Sequence, residues 1–246
     1  MRREILAVLL MCTLVSAGLD QSYIQVVDRE GNSEITKTMD ISAFMTDFEE
    51  GSMEKISDLC EAEPELRCSV EGKKITITES FSPGEHYNFK VDYGIPFITY
   101  TLTQKKIPTD VFSVSLDKLL RKAGVVEGGV EGSADAIDLF NEEENRENAG
   151  FLRRFNVNLS YQITVPTAID DASAGNVSGA VDGTTATFDI VEVMEESQPM
   201  TVKNSELNLG YMIIIAAVIV LGGLAYSFFR SKPPAKKKTK KAKSKK

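Results

Sequence analysis

The chain is 246 residues long, with 28 basic and 36 acidic residues, one histidine and no tryptophan. Its formal charge is −8, but the two ends take 12 of the basic residues and one acid, so residues 18–209 keep 16 bases against 35 acids and carry about −19. A segment this acidic repels nucleic acid and anionic headgroups, which argues against both as its partners and leaves simple solubility, a cationic partner or weak divalent-ion binding as its uses.

The first predicted element is a targeting signal. "MRREILAVLLMCTLVSAGLD" begins with Arg2 and Arg3, continues with an apolar run from Ile5 to Val15, and ends in small residues. That is the layout of a secretory signal peptide over residues 1–17, with cleavage between Ala17 and Gly18. A lipoprotein site at Cys12 would need a small residue where Met11 stands. An uncleaved anchor would need a longer apolar run.

Residues 18–200 then read as an extracytoplasmic α+β domain, mostly antiparallel β, whose helical middle over about 112–149 is either an insertion between two β-rich parts of one fold or a domain boundary. "SYIQVVDREGNSEITKTMDIS" predicts two strands turning at Glu30-Gly31-Asn32. A short helix over Ser52–Cys60 follows, then "KKITITES", "YNFKVDY" and "FITYTLT", whose apolar alternation marks half-buried strands. Between them, "SPGEHYNF" predicts a turn with His86 on the surface. "SLDKLLRKAG" predicts a helix capped by Ser115 and ended by Gly124. A second helix is expected to start after Ser133 and to run through "ADAIDLFNEEENREN". The last third returns to strand: "RRFNVNLSYQITVPT", a polar loop, then "GAVDGTTATFDIVEVM" with a hairpin turn at Asp182-Gly183. Residues 201–209 read as a short strand or a juxtamembrane stalk.

Two cysteines remain once Cys12 leaves with the signal. Cys60 and Cys68 lie eight apart in a chain directed to an oxidising compartment, so a disulfide is the natural reading. It would tie the end of the short helix to the start of a strand. A two-thiolate metal site is the rival, and it would need help from His86. Asn158 in "NLS" and Asn176 in "NVS" are glycosylation sequons, Asn176 the better placed of the two because it falls in a predicted loop.

No reaction is legible. The glycine-rich loop Gly124–Gly132 precedes a predicted helix, but Glu127 and Glu131 sit inside it and no lysine follows, so it is not a phosphate cradle. There is no nucleophile-elbow sequence. The acid pairs Asp170-Asp171, Glu142 to Glu144 and Glu195-Glu196 are what a chain with 36 acids produces by composition, and neither acidic cluster has EF-hand spacing. The expectation is a protein with no catalytic residues, no cofactor and no metal.

The chain closes with twenty uncharged residues, 210–229, and a basic tail, 230–246. At about 1.5 Å per residue the uncharged run spans roughly 30 Å, the thickness of a bilayer's hydrocarbon core. Tyr211 and Tyr226 lie near its ends, where amphipathic rings favour the interface. Arg230 and nine lysines follow with no acid among them. Such a flank stays cytoplasmic, which places the acidic domain outside or in an organelle lumen. Arg230, Lys232, Lys236, Lys237 and Lys238 are the expected contacts with anionic lipid. No aromatic interleaves the lysines, so nucleic acid is not an expected partner. Gly223 and Ser227 have the small-xxx-small spacing that allows a homodimer.

The segment "NLSYQITVPTAIDDASAGNVSGAVDGTTATFDI" resembles the closing part of LppM-like envelope-anchored domains. The matches are Tyr161 to Pro166, Gly179 to Ile190 and the 210–229 run, and the opening "SYIQVVDREGNSEITKTMDIS" is similar to that family's first hairpin. Two features depart from the pattern: the lipobox is absent, and Phe188 stands where a tryptophan is usual. The resemblance implies an α+β envelope domain without an established catalytic site. In its sequons, lysine tail and acidic exterior the chain is similar to archaeal single-pass surface proteins. The sequence alone therefore leads to a membrane-anchored, non-enzymatic binding or scaffolding protein. An accessory subunit of a secretion or envelope-assembly complex and a lipid- or glycan-binding module are the alternatives. The outside partner, whether protein, lipid or glycan, is left open.

Overall fold

The structure is a computed structural model that describes residues 20–40, 51–125, 135–154 and 157–230. The expected signal peptide with its Ala17–Gly18 cleavage site, and the tail lysines Lys232, Lys236, Lys237 and Lys238, lie outside the described residues. The chain falls into two units: one comprises Met1–Asp92 and Thr99–Glu206, the other Tyr93–Ile98 and Leu207–Lys246.

The fold is mixed α and β with mostly antiparallel sheets. A seven-stranded sheet has the order β12-β13-β9-β1-β2-β4-β3. Its strands are β1 (Asp20–Val27), β2 (Ser33–Asp40), β3 (Cys68–Glu71), β4 (Lys74–Phe81), β9 (Asn158–Thr164), β12 (Ala180–Asp182) and β13 (Thr185–Asp189). The β1–β9 pair is parallel, and the other pairs are antiparallel. A five-stranded sheet has the order β11-β10-β14-β6-β5, from β5 (Tyr87–Tyr93), β6 (Phe97–Gln104), β10 (Ile169–Ala174), β11 (Val177–Ser178) and β14 (Met200–Leu207). The short β7 (Lys106–Ile107) and β8 (Ile137–Asp138) pair with each other.

The first hairpin forms where expected. Asp28 accepts hydrogen bonds from the backbone of Glu30 (2.9 Å) and Asn32 (2.8 Å), an Asx-type turn. Gly31 sits at φ 91°, and a Cβ there would lie 2.3 Å from the Phe89 ring, so only glycine fits. In β2, Ser33, Ile35, Lys37 and Met39 point inward, while the outward Thr36 and Thr38 pair with Thr78 (2.9 Å) and Thr76 (3.3 Å) on β4. Two of those inward residues are polar. Lys37 lays its stem in the core with its ammonium 5.2 Å from the centroid of Tyr23, a cation–π contact.

The core of the larger unit is aromatic. Tyr23 and Tyr161 stack at 5.7 Å between ring centroids, and Phe112 meets Tyr23 edge-on at 5.9 Å. Each large side chain buried this completely contributes roughly 1.5–3 kcal/mol of transfer free energy. The Tyr161 hydroxyl needs a partner, and it donates to Oε1 of buried Gln25 (3.2 Å), whose Nε2 donates to Ser33 (3.2 Å). Burial pushes the Tyr161 phenol well above the usual tyrosine range, reinforced by the neighbouring Tyr23 and Tyr87.

Several expectations are corrected. The helix containing Ser115 starts earlier, as α2 (Thr109–Lys122), following α1 (Ser52–Ala62). Phe112, Leu119 and Leu120 form its buried face, so Ser115 is mid-helix, where it donates to Glu79 rather than capping. Its end is as expected: Gly124 takes φ 65°, and the amides of Gly124 and Val125 donate to the carbonyls of Arg121 and Leu120, a Schellman stop. The next helix does not begin after Ser133. Ile137 and Asp138 are drawn into β8, and α3 spans Glu142–Arg154. The Asn141 carbonyl opens that helix by accepting from the Asn145 amide (2.9 Å), and buried Asn145 donates to the Asp138 carbonyl (2.9 Å).

The expected polar loop after Pro166 is strand β10. The stretch "IVEVM", expected as strand, is helix α4 (Ile190–Glu196). Asp189 caps it by accepting from Val191 (2.8 Å) and Glu192 (3.4 Å), and the buried set Ile190, Val191, Val193 and Met194 has helical spacing. Residues 201–207, read as a short strand or a stalk, are strand: they lie in β14 with the five-stranded sheet. The final helix is α5 (Leu209–Arg230).

Candidate functional site

Cys60 lies in the last turn of α1 and Cys68 opens β3. The two are joined by a disulfide with a Cα–Cα distance of 5.3 Å. Both thiols are thereby used, so the alternative two-thiolate metal site is not what these residues form. Beside the bridge lies a groove of about 160 Å³ lined by Glu65, Leu66, Ile77, Glu79, Ser115, Lys118 and Leu119 with Cys68. Its rim is polar, with two carboxylates, one lysine and the Ser115–Glu79 hydrogen bond. Drug-sized ligands occupy clefts of roughly 300 Å³ and more, a size this groove does not reach.

His86 is not the surface residue expected. It is buried, its ring meeting Phe81 edge-on at 5.2 Å, and its carbonyl accepts from the backbones of Lys105 (2.8 Å) and Lys106 (3.0 Å). Among the described residues its Nδ1 has no hydrogen-bond partner. A catalytic histidine is normally oriented through that nitrogen by a carboxylate, a contact this geometry lacks. Asp138, at the end of β8, accepts from the Phe140 amide (3.0 Å).

The acid pairs are engaged locally. Glu142 pairs with Arg146 and Glu195 with Arg153, both at 2.6 Å, and Asp170 accepts from Ser205 (2.6 Å). Glu142 to Glu144 occupy the first turn of α3 and Arg153 and Arg154 its last, where each sign complements the helix dipole. Among the described residues no group of three or more His, Cys, Asp or Glu is arranged to hold a metal. Asn158 is in a strand as expected, as the exposed first residue of β9. Asn176 is exposed in the turn between β10 and β11, where its side chain donates to Glu196 (3.1 Å). Both sequon side chains are thus sterically accessible.

The smaller unit carries the most distinctive surface. Helix α5 is apolar and long enough to cross a bilayer over Leu209–Phe228, and none of that stretch is buried within the protein. Arg230, its last residue, is exposed. Asn208 caps its start, with Oδ1 accepting from the Tyr211 amide (3.2 Å) and the Asn208 carbonyl accepting from Met212 (3.0 Å). The same residue donates its own amide to the Pro96 carbonyl (2.8 Å) and Nδ2 to the Gly94 carbonyl (3.3 Å). One asparagine therefore holds the helix start against the loop between β5 and β6. Sequence reading missed this link. "LNLG" ahead of a long apolar run is a legible capping signal, but nothing local in it names the loop more than 100 residues earlier.

Comparison with protein-family models, curated proteins and solved structures returns no match. The LppM-like resemblance rests on the quoted residues alone.

Proposed function

We propose that this chain is a single-pass membrane protein whose acidic α+β domain lies outside the cytoplasm and binds or scaffolds a partner without catalysing a reaction. The observation that carries the reading is α5. Twenty consecutive residues, 210–229, have no charge, the helix leaves its apolar surface uncovered by the rest of the protein, and ten basic residues follow at once. Water does not tolerate an uncovered apolar rod roughly 30 Å long, and a bilayer accepts one. The basic flank supports a cytoplasmic tail in contact with anionic lipid. The Cys60–Cys68 bridge fits the same sidedness, because such bonds persist in oxidising compartments. The net charge of about −19 on residues 18–209 favours a cationic protein surface as the partner.

An accessory subunit of a secretion or envelope-assembly complex is the second reading. It is favoured by the coupling of helix start and β5–β6 loop through Asn208, which makes the anchor more than a tether. Crosslinking on native membranes followed by mass spectrometry tests the first reading. It predicts a protein joined to the acidic domain, and recovery of the chain with no crosslinked protein at any crosslinker length contradicts it. Replacing α5 and the tail by an unrelated anchor separates the two: binding through the domain survives the exchange, and a subunit held through its helix does not.

A further inference from the structure

We propose that the tip of the β5–β6 hairpin is a membrane-interface element that inserts into the headgroup region beside the start of α5. The proposal rests on the reading of α5 as a membrane span. The tip consists of Tyr93, Gly94, Ile95, Pro96, Phe97 and Ile98, with no charged side chain. Tyr93, Ile95 and Phe97 are 80%, 58% and 48% exposed, three large apolar side chains within five residues. Scattered surface apolar residues need no explanation, but a contiguous cluster on a loop does.

What covers this cluster follows from where the tip is held. The Gly94 and Pro96 carbonyls each accept from Asn208, and Asn208 is the cap of α5, one residue before the apolar stretch begins at Leu209. The tip backbone therefore sits within one hydrogen bond of the point where the span enters the bilayer. A bilayer is about 40–45 Å thick with its headgroups and about 30 Å without, which leaves an interfacial layer of roughly 5–8 Å on each side. A tyrosine or phenylalanine side chain reaches across such a layer. The chemistry also fits: a tyrosine ring beside aliphatic side chains is the composition that favours the interface, and Tyr211 lies in the first turn of α5. The tip's shape is maintained locally, since a Cβ on Gly94 would come within 2.9 Å of the Phe97 carbonyl. An acidic domain is repelled by anionic headgroups, and an uncharged tip is the part of it free of that repulsion.

The absence of tryptophan makes the test direct, because one substitution creates the only indole in the chain. Full-length Tyr93→Trp, Phe97→Trp and Val218→Trp variants are reconstituted separately into phosphatidylcholine vesicles carrying brominated lipids, with bromine either near the top or near the centre of the acyl chain. Tyr93 and Val218 are exposed in the protein, so both substitutions are mild. The proposal predicts blue-shifted emission from Tyr93→Trp and Phe97→Trp, quenched more by shallow than by deep bromine, with Val218→Trp quenched most by deep bromine. Water-like, unquenched emission at the tip with deep quenching at Val218 overturns the proposal and leaves the span intact. Blue-shifted but unquenched emission at the tip also overturns it, in favour of a protein cover. If no variant is quenched, α5 does not cross the bilayer and the proposal falls with that reading.

Discussion

Reduction of the Cys60–Cys68 bridge should lower stability without dissolving the local fold. The two cysteines are eight apart in sequence, so the bond closes a loop of about nine residues; the chain-entropy relation then gives about 2.6 kcal/mol at room temperature. The loop is also held by backbone bonds that survive reduction. Glu63 donates to Leu59, Leu66 to Glu63, Arg67 to Pro64, and Thr78 to the Arg67 carbonyl. The native state therefore persists, and the loss falls on the unfolding equilibrium through the freed unfolded chain. In a domain of this size 1 kcal/mol moves the midpoint by about 2–4 °C, so the expected shift is about 5–10 °C. The assay is thermal unfolding of the full-length protein in mild detergent, followed by far-ultraviolet circular dichroism with and without reductant. A midpoint that does not move on verified reduction would refute the entropic argument, and loss of the folded spectrum at room temperature would refute the claim that backbone bonds suffice.

Three further outcomes are expected. Tyr161→Phe removes the donor to the buried Gln25 Oε1 and should cost about 1–3 kcal/mol in a urea titration. The folded state raises the Tyr161 phenol's pKa, so it holds that proton more tightly than the unfolded chain does: its contribution is fully present below about pH 10 and is lost as pH rises beyond it, by at most about 1.4 kcal/mol per pH unit. Urea midpoints measured across alkaline pH should fall more steeply for the wild type than for Tyr161→Phe, and parallel curves would remove Tyr161 from the account. Gly31→Ala should destabilise by more than 2 kcal/mol or so, because strain at φ 91° adds to the clash with Phe89, whereas Gly51→Ala, at φ 87° with open space, should cost about 1 kcal/mol; equal costs in the same titration would show that the clash is relieved. Asn208→Ala should cost about 1–2 kcal/mol and accelerate hydrogen exchange at the Tyr211 amide, while Asn208→Asp, which keeps the acceptor and loses the amide donor to Gly94, should restore slow exchange at Tyr211 alone.

Local patterns carried much of the architecture. The first hairpin announces itself through Asp28, Gly31 and the alternation of β2, and the disulfide through two cysteines at a short spacing in a chain with a secretory leader pattern. The uncharged run before the lysines marks α5 just as plainly. Other elements were set by contacts the local sequence does not contain. Ile137 and Asp138 look like the start of a helix until pairing with Lys106 and Ile107 takes them into a strand. "IVEVM" has strand propensity, but its buried positions repeat with helical spacing and Asp189 stands ready as a cap, so the signal was present and outweighed by β-branched composition. His86 sits among turn residues by sequence, yet the fold buries it with its ring edge-on to Phe81. The tip of β5–β6 could be seen as an apolar turn, but not as a neighbour of residue 208.

The central claim is that α5 crosses a membrane and holds the acidic domain outside. Protease added to intact cells, followed by detection of an epitope at each end of the mature chain, tests it most directly. The account predicts that the acidic domain is digested and that a fragment holding α5 and the lysine tail is protected, becoming digestible only after the membrane is opened. Loss of the tail with a protected domain would reverse the orientation, and release of the intact chain from membranes by an alkaline wash would show that α5 does not span at all.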